Sequence, residues 1–217
     1  MKKLYLLLLG ITLVVFCSSC EKLFNKEDPD ELNGDPSPMG EVGVTVSSSS
    51  AEISGVKNFT ATVTALDDGT SLYSGSATVT NAMLKNLVSN IPGITINGNT
   101  VTATDIKFKQ TTEGLEFLSG PTAGIWVKYA SEVGDTYPIG STANVRTVVS
   151  KTGVDDYPYG FFLIKTIQVE EIPSAFKSSG ITKITYIANH KFGLVGVKFT
   201  LDDGTSTNFP IYTSAEN

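Results

Sequence analysis

Few residues in this 217-residue chain are of a type and spacing that could do chemistry. His190 is the only histidine, and the two cysteines, Cys17 and Cys20, both lie at the end of an apolar N-terminal run. One histidine and no thiol in the rest of the chain leave no Ser/His/Asp triad and no multi-histidine metal site to assemble. Ser174-Ala175-Phe176-Lys177 fits S-x-x-K, and Lys151-Thr152-Gly153 fits K-T-G. Serine acyl-enzymes carry those motifs in the opposite order, together with a Ser-Asp-Asn that is absent here, so the match is fortuitous. Glycoside hydrolysis needs two carboxyl groups roughly 5–10 Å apart. Asp155, Asp156, Glu170 and Glu171 are the nearest candidates, but nothing in their spacing puts them in one cleft. The expectation is a protein that is not an enzyme, with no cofactor and no metal.

A binding loop is the better chemical candidate. Asp155-Asp156-Tyr157-Pro158-Tyr159-Gly160-Phe161 sets two tyrosines on a proline-stiffened segment beside two acids, and Trp126 lies in the same half of the chain. Aromatic faces stack on sugar rings and carboxylates accept hydrogen bonds from sugar hydroxyls. Tyr157, Tyr159, Asp155, Asp156 and Trp126 are therefore the expected ligand-binding residues, with an extracellular glycan or similar ligand as the partner. The same aromatics also serve as core or as loop braces in many proteins. The alternative is a structural or assembly component, such as an adhesin, a pilus-associated subunit or an accessory to an outer-membrane complex. A long unpaired sheet edge or a large apolar patch would favour it. With 16 Lys and Arg against 22 Asp and Glu, the chain is a poor partner for nucleic acid, whose phosphates need clustered cations.

The N-terminus says how such a body is held. Lys2 and Lys3 precede an apolar run from Leu4 to Phe16, followed by Cys17-Ser18-Ser19-Cys20. That order is a secretory signal, and the run is too short to span a hydrocarbon core of about 30 Å as a helix. Val15 to Cys20 resembles a bacterial lipobox, although Cys17 stands where leucine is usual. The resemblance implies that Cys20 is lipidated and becomes the mature N-terminus, a partner for the membrane through its acyl chains. Two or more chains make such anchoring durable. Residues 1–19 are then a signal peptide. Residues 20–41, acidic and containing three prolines, are expected to be a lipidated cysteine and a flexible tether. Lys26-Glu27-Asp28 is similar to the charged signal that follows the cysteine in surface-exposed lipoproteins of Bacteroidota, which implies an outer-membrane location facing the cell exterior.

From Val42 onward Thr, Val, Ile, Tyr and Phe alternate with polar residues between short Gly, Asn and Asp punctuations, a strand-and-turn texture. The string Leu-Asp-Asp-Gly-Thr-Ser occurs twice, at 66–71 and 201–206, each time as a hairpin. A three-residue loop at 202–204 would put Val197 opposite Phe209 and Phe199 opposite Thr207, matching apolar faces. The same loop in the first copy would pair Val63 with Tyr73 and Phe59 with Ala77. Asn97-Gly98 reads as a two-residue turn. Met83, Leu84, Leu87 and Val88 follow helical spacing between a capping Asn81 and the stop Ile91-Pro92-Gly93. Later strands are expected at 125–130, 145–150, 161–169, 181–188 and 194–201, the third buried on both faces. Parallel strands need long, usually helical crossovers, of which the sequence offers almost none, so the sheets should be mostly antiparallel. The expected fold is all-β, a mostly antiparallel β-sandwich with one short helix near 81–90. Residues 42–120 and 121–217 would form two halves or one continuous domain. Gly124 to Tyr129, Asp155 to Tyr157 and Asn189 to Gly196 resemble uncharacterised lipoproteins of Bacteroidota, which implies lineage and no particular activity.

Overall fold

Asp-Gly turns and β-branched alternation build the body strand by strand. The computed structural model describes residues 31–49, 51–140, 142–172 and 180–215. In chain order these form β1 (Thr45–Ser47), β2 (Val56–Asp67), β3 (Thr70–Val79), α1 (Ala82–Val88), β4 (Ile94–Asn97), β5 (Thr100–Thr111), β6 (Gly114–Phe117) and β7 (Gly124–Lys128). Then follow β8 (Thr136–Pro138), β9 (Val145–Lys151), β10 (Tyr157–Tyr159), β11 (Phe162–Ile164) and β12 (Ile167–Glu171). The last four strands are β13 (Ile181–Asn189), β14 (Gly193–Leu201), β15 (Ser206–Pro210) and β16 (Tyr212–Thr213). The first sheet runs β16-β1-β2-β3-β5-β6-β7, with β4 also on β5; the second runs β15-β14-β13-β12-β9-β8. The described pairings are antiparallel, so the fold is all-β with one short helix, as the turn spacing predicts. The sheet does not break near residue 120. β7 pairs with β6, β16 returns to β1, and the chain from Leu32 onward is one body.

The first sheet curls. Its ladder slips at Lys57/Thr60 and Val63/Ala65 between β2 and β3, and at Tyr73/Gly75 between β3 and β5. Bulged residues Asn58 and Asp105 take left-handed backbone, with φ of 56° and 54°, a conformation in which Asn and Asp are enriched. Each bulge bends its strand and increases the local twist. At Gly75 the neighbouring strand comes so close that a Cβ would collide with the Thr60 carbonyl oxygen. Only glycine fits there.

The repeated string makes two different turns. The second copy forms the expected register, Val197 opposite Phe209 and Phe199 opposite Thr207. Asp203 Oδ1 accepts hydrogen bonds from the Thr205 amide (2.8 Å) and hydroxyl (2.6 Å). The first copy closes on two residues, Asp68 (φ 46°) and Gly69 (φ 72°), so Asp67 faces Thr70. A bulge at Thr64 restores Val63 opposite Tyr73, but Phe59 falls in the next slip and does not pair with Ala77. Between β4 and β5 the turn residues are Gly98 and Asn99, one step later than expected. The helix is capped as read: Asn81 Oδ1 accepts from the Met83 and Leu84 amides at 2.9 and 3.3 Å.

Two expectations fail. Residues 161–169 are not one strand buried on both faces but the separate strands β11 and β12, with Phe161, Phe162 and Leu163 exposed at a hairpin tip. The expected tether at 20–41 also ends too late. Leu32 is 0% exposed and packs with Leu115, Ile125, Val127 and Val169. Asn33 donates to Glu113 Oε2 at 3.0 Å, the Ser37 amide to the Gln110 carbonyl at 3.0 Å, and Met39 is buried. The acidic, proline-rich average of the segment hides two apolar residues that dock onto the body. Residues 1–30 and Cys20 lie outside the described residues.

This docking has a measurable cost. Leu32→Ala is expected to destabilise the body by about 2–5 kcal/mol in chemical denaturation, the range for a buried leucine. A tether residue would change it by less than about 0.5 kcal/mol.

Candidate ligand-binding site

Curling leaves a space between the sheets. Ala61, Gly75 and Ala103 are direct cross-strand neighbours on β2, β3 and β5, a row of small residues where a filled sandwich would carry large ones. Ala77 opposite Val101 continues it. The second sheet faces this floor with Ile184, Tyr186, Leu194, Val197 and Phe199, and α1 adds Leu84, Leu87 and Val88. Together they line a cavity of about 400 Å³. Val46, Ala61, Ala77, Phe108 and Val197 are only half-buried although they lie between the layers. Interiors are normally packed as densely as organic crystals, with few voids larger than a water molecule.

Polar groups near this space are largely engaged with protein. Arg146, 0% exposed, donates from Nε to Glu171 Oε2 (2.8 Å), from Nη1 to the Ile125 carbonyl (3.1 Å) and from Nη2 to the Thr122 carbonyl (2.6 Å). Tyr186 donates its hydroxyl to the same Oε2 at 2.9 Å. Burial, and then the Glu171 charge, push the Tyr186 phenol far up. Tyr73 donates to the Met39 carbonyl (3.0 Å) and accepts from Gln110 Nε2 (2.6 Å). Burial raises its pKa to about 12, the Gln110 bond pulling the other way.

The structure separates the residues expected to bind a ligand. Trp126 lies inside, stacked on Tyr186 with centroids 4.3 Å apart and edge-on to Phe108 at 5.0 Å, where it lines the cavity. Tyr159 is buried against Phe192 and Tyr212, and its hydroxyl accepts from the Thr213 amide at 3.1 Å. Tyr157 is half-buried and accepts from Asn208 Nδ2 at 3.0 Å. Burial raises both phenols. Asp155 and Asp156 stay exposed in the preceding loop. Tyr157, Tyr159 and Trp126 therefore make no common exposed platform. Each ring finds burial and each tyrosine hydroxyl a partner, the usual fate of large aromatics.

The remaining chemical candidates are dispersed. Glu170 pairs with Lys183 at 2.7 Å and Glu171 with Arg146, and adjacent residues of a strand point to opposite faces. His190 is exposed in the β13–β14 turn. Ser174 to Lys177 lie outside the described residues. Among the described residues no group of three or more His, Cys, Asp and Glu could hold a metal ion, and no helix is long and apolar enough to cross a membrane. Comparison with protein-family models, with curated proteins and with solved structures finds no match to this chain. The cavity did have a sequence signal: Ala61, Gly75, Ala77 and Ala103 occupy alternate, inward positions of their strands, where Val or Ile would be normal for a packed core.

The buried phenols make alkaline stability a direct readout. Tyr73 and Tyr186 both ionise less readily folded than unfolded, so at high pH the unfolded chain holds fewer protons than the folded one. The stabilisation from Tyr73 is complete below its ordinary value of 10.0 and is lost as pH rises through about 12. Denaturation midpoints should fall across that window. Phenolate absorbance from Tyr73 and Tyr186 should appear together with unfolding rather than ahead of it.

Proposed function

We propose that this chain is a non-catalytic binding protein that holds an apolar small molecule between its two sheets, displayed on a lipid anchor at Cys20 on the outer face of the outer membrane. The observation that carries the binding reading is the cavity. Protein interiors normally leave few voids larger than a water molecule, and here about 400 Å³ is lined almost wholly by apolar side chains. A cavity of this size and lining falls within the range of natural small-molecule sites, roughly 300–1,000 Å³. A ligand of matching apolar surface would cover this lining. The sequence expectation of a non-catalytic ligand binder is kept as to class. The inward packing of Tyr157, Tyr159 and Trp126 favours an apolar ligand over a glycan.

The test uses N-phenyl-1-naphthylamine, an uncharged probe that fluoresces in apolar surroundings. It should bind the native protein saturably, and it should change the emission of Trp126, the only tryptophan. Ala103→Phe fills the floor of the cavity. It should weaken the probe about tenfold or more while leaving stability unchanged or raised, as filling a functional void does. A native protein that ignores the probe would refute the reading. The anchor is tested separately: metabolic labelling with an alkyne fatty acid should mark the full chain and not its Cys20→Ser variant.

A further inference from the structure

We infer that the cavity selects an uncharged, single-tailed ligand, a long-chain alcohol, and rejects the corresponding fatty acid anion. This rests on the binding reading above and adds the ligand's chemical class. A carboxylate moved into an apolar site needs a cation or several donors to offset its lost hydration. Among the described lining residues there is no lysine, arginine or histidine. Arg146 lies close behind the wall, but its guanidinium is fully buried and already donates from Nε, Nη1 and Nη2 to Glu171, Ile125 and Thr122.

The one charged residue in the lining is Glu171. Its charge is already balanced by Arg146 at 2.8 Å, so the pair offers an anion no net attraction, and an anion placed against the carboxylate itself would meet a like charge. A hydroxyl has the opposite relation to it. The bonds from Arg146 and Tyr186 both end on Glu171 Oε2. Among the described residues none ends on Oε1, so the carboxylate keeps acceptor capacity for a ligand O–H. Size sets the tail. A cavity of roughly 150 Å³ takes benzene, so one of about 400 Å³ takes roughly fifteen non-hydrogen atoms, the size of a twelve- to fourteen-carbon alcohol.

The experiment is competition on the native protein loaded with N-phenyl-1-naphthylamine, with 1-dodecanol and dodecanoate as competitors. At mildly alkaline pH, 1-dodecanol should displace the probe at a concentration about tenfold or more below that of dodecanoate. The gap should close as pH falls into the carboxyl range and the acid becomes neutral. Glu171→Gln removes the lining charge and leaves the Arg146 cation without its counter-ion, so the gap should narrow at alkaline pH in that variant. A melting curve shows whether it is folded, and the native pH series decides if it is not. Dodecanoate that competes as well as 1-dodecanol at alkaline pH overturns the inference while the binding reading stands. An unchanged gap in folded Glu171→Gln overturns the role given to Glu171. Failure of the probe and of both competitors to bind takes down the binding reading and this inference together.

Discussion

The close approach of β2 and β3 at Gly75 is the constraint on which the rest depends. With no side chain there, the strands bend toward each other, and the bulges at Asn58, Thr64 and Asp105 turn that bend into a curled sheet. A curled sheet cannot lie flush on a second one. Two flat layers of this composition would interdigitate about 10 Å apart and fill their interface. The curl and the row Ala61, Gly75 and Ala103 prevent that filling. The cavity is thus a property of the strand geometry rather than of missing atoms at one site.

The second layer is tied to the first at its β7 end. Arg146 on β9 reaches the Ile125 carbonyl on β7, the Thr122 carbonyl just before it and Glu171 on β12. One guanidinium therefore ties three segments from two sheets. A buried ion pair of this kind adds little to stability compared with apolar packing, yet its geometry is demanding. Its planar fork specifies how β7 meets β9 and β12. Trp126 stacks on Tyr186 beside this joint and carries the aromatic contacts Phe108 and Phe117 across to the first sheet.

Most strands, their antiparallel order and the helix were legible because their signals are local. Asn81 capped what it was expected to cap, and the 202–204 loop follows from matching Val197 and Phe199 with their cross-strand partners. The identical string at 66–71 shows where local reasoning stops. Its turn is two residues long because the bulge at Thr64 absorbs the difference, and that bulge answers to the curl of the whole sheet. The tether boundary failed for a similar reason. Leu32 and Met39 are two apolar residues in a polar stretch, and only the tertiary surface decides that they are covered. The site was the least legible part. Aromatic residues drew attention in the sequence, whereas the cavity is written in small ones, whose meaning depends on which strands face each other.

The pairing of β1 with β16 has a consequence for how the molecule is made. The Thr45 amide bonds to Ser214 Oγ, partners 169 positions apart, and Val46 faces Thr213. Until β16 is synthesised, β1 has an open edge and the first sheet lacks its last strand. Such distant pairing must close a long loop before it is rewarded, which makes folding slow and leaves strand edges exposed meanwhile. A chain built this way completes its first sheet only once nearly all of its length is free to fold.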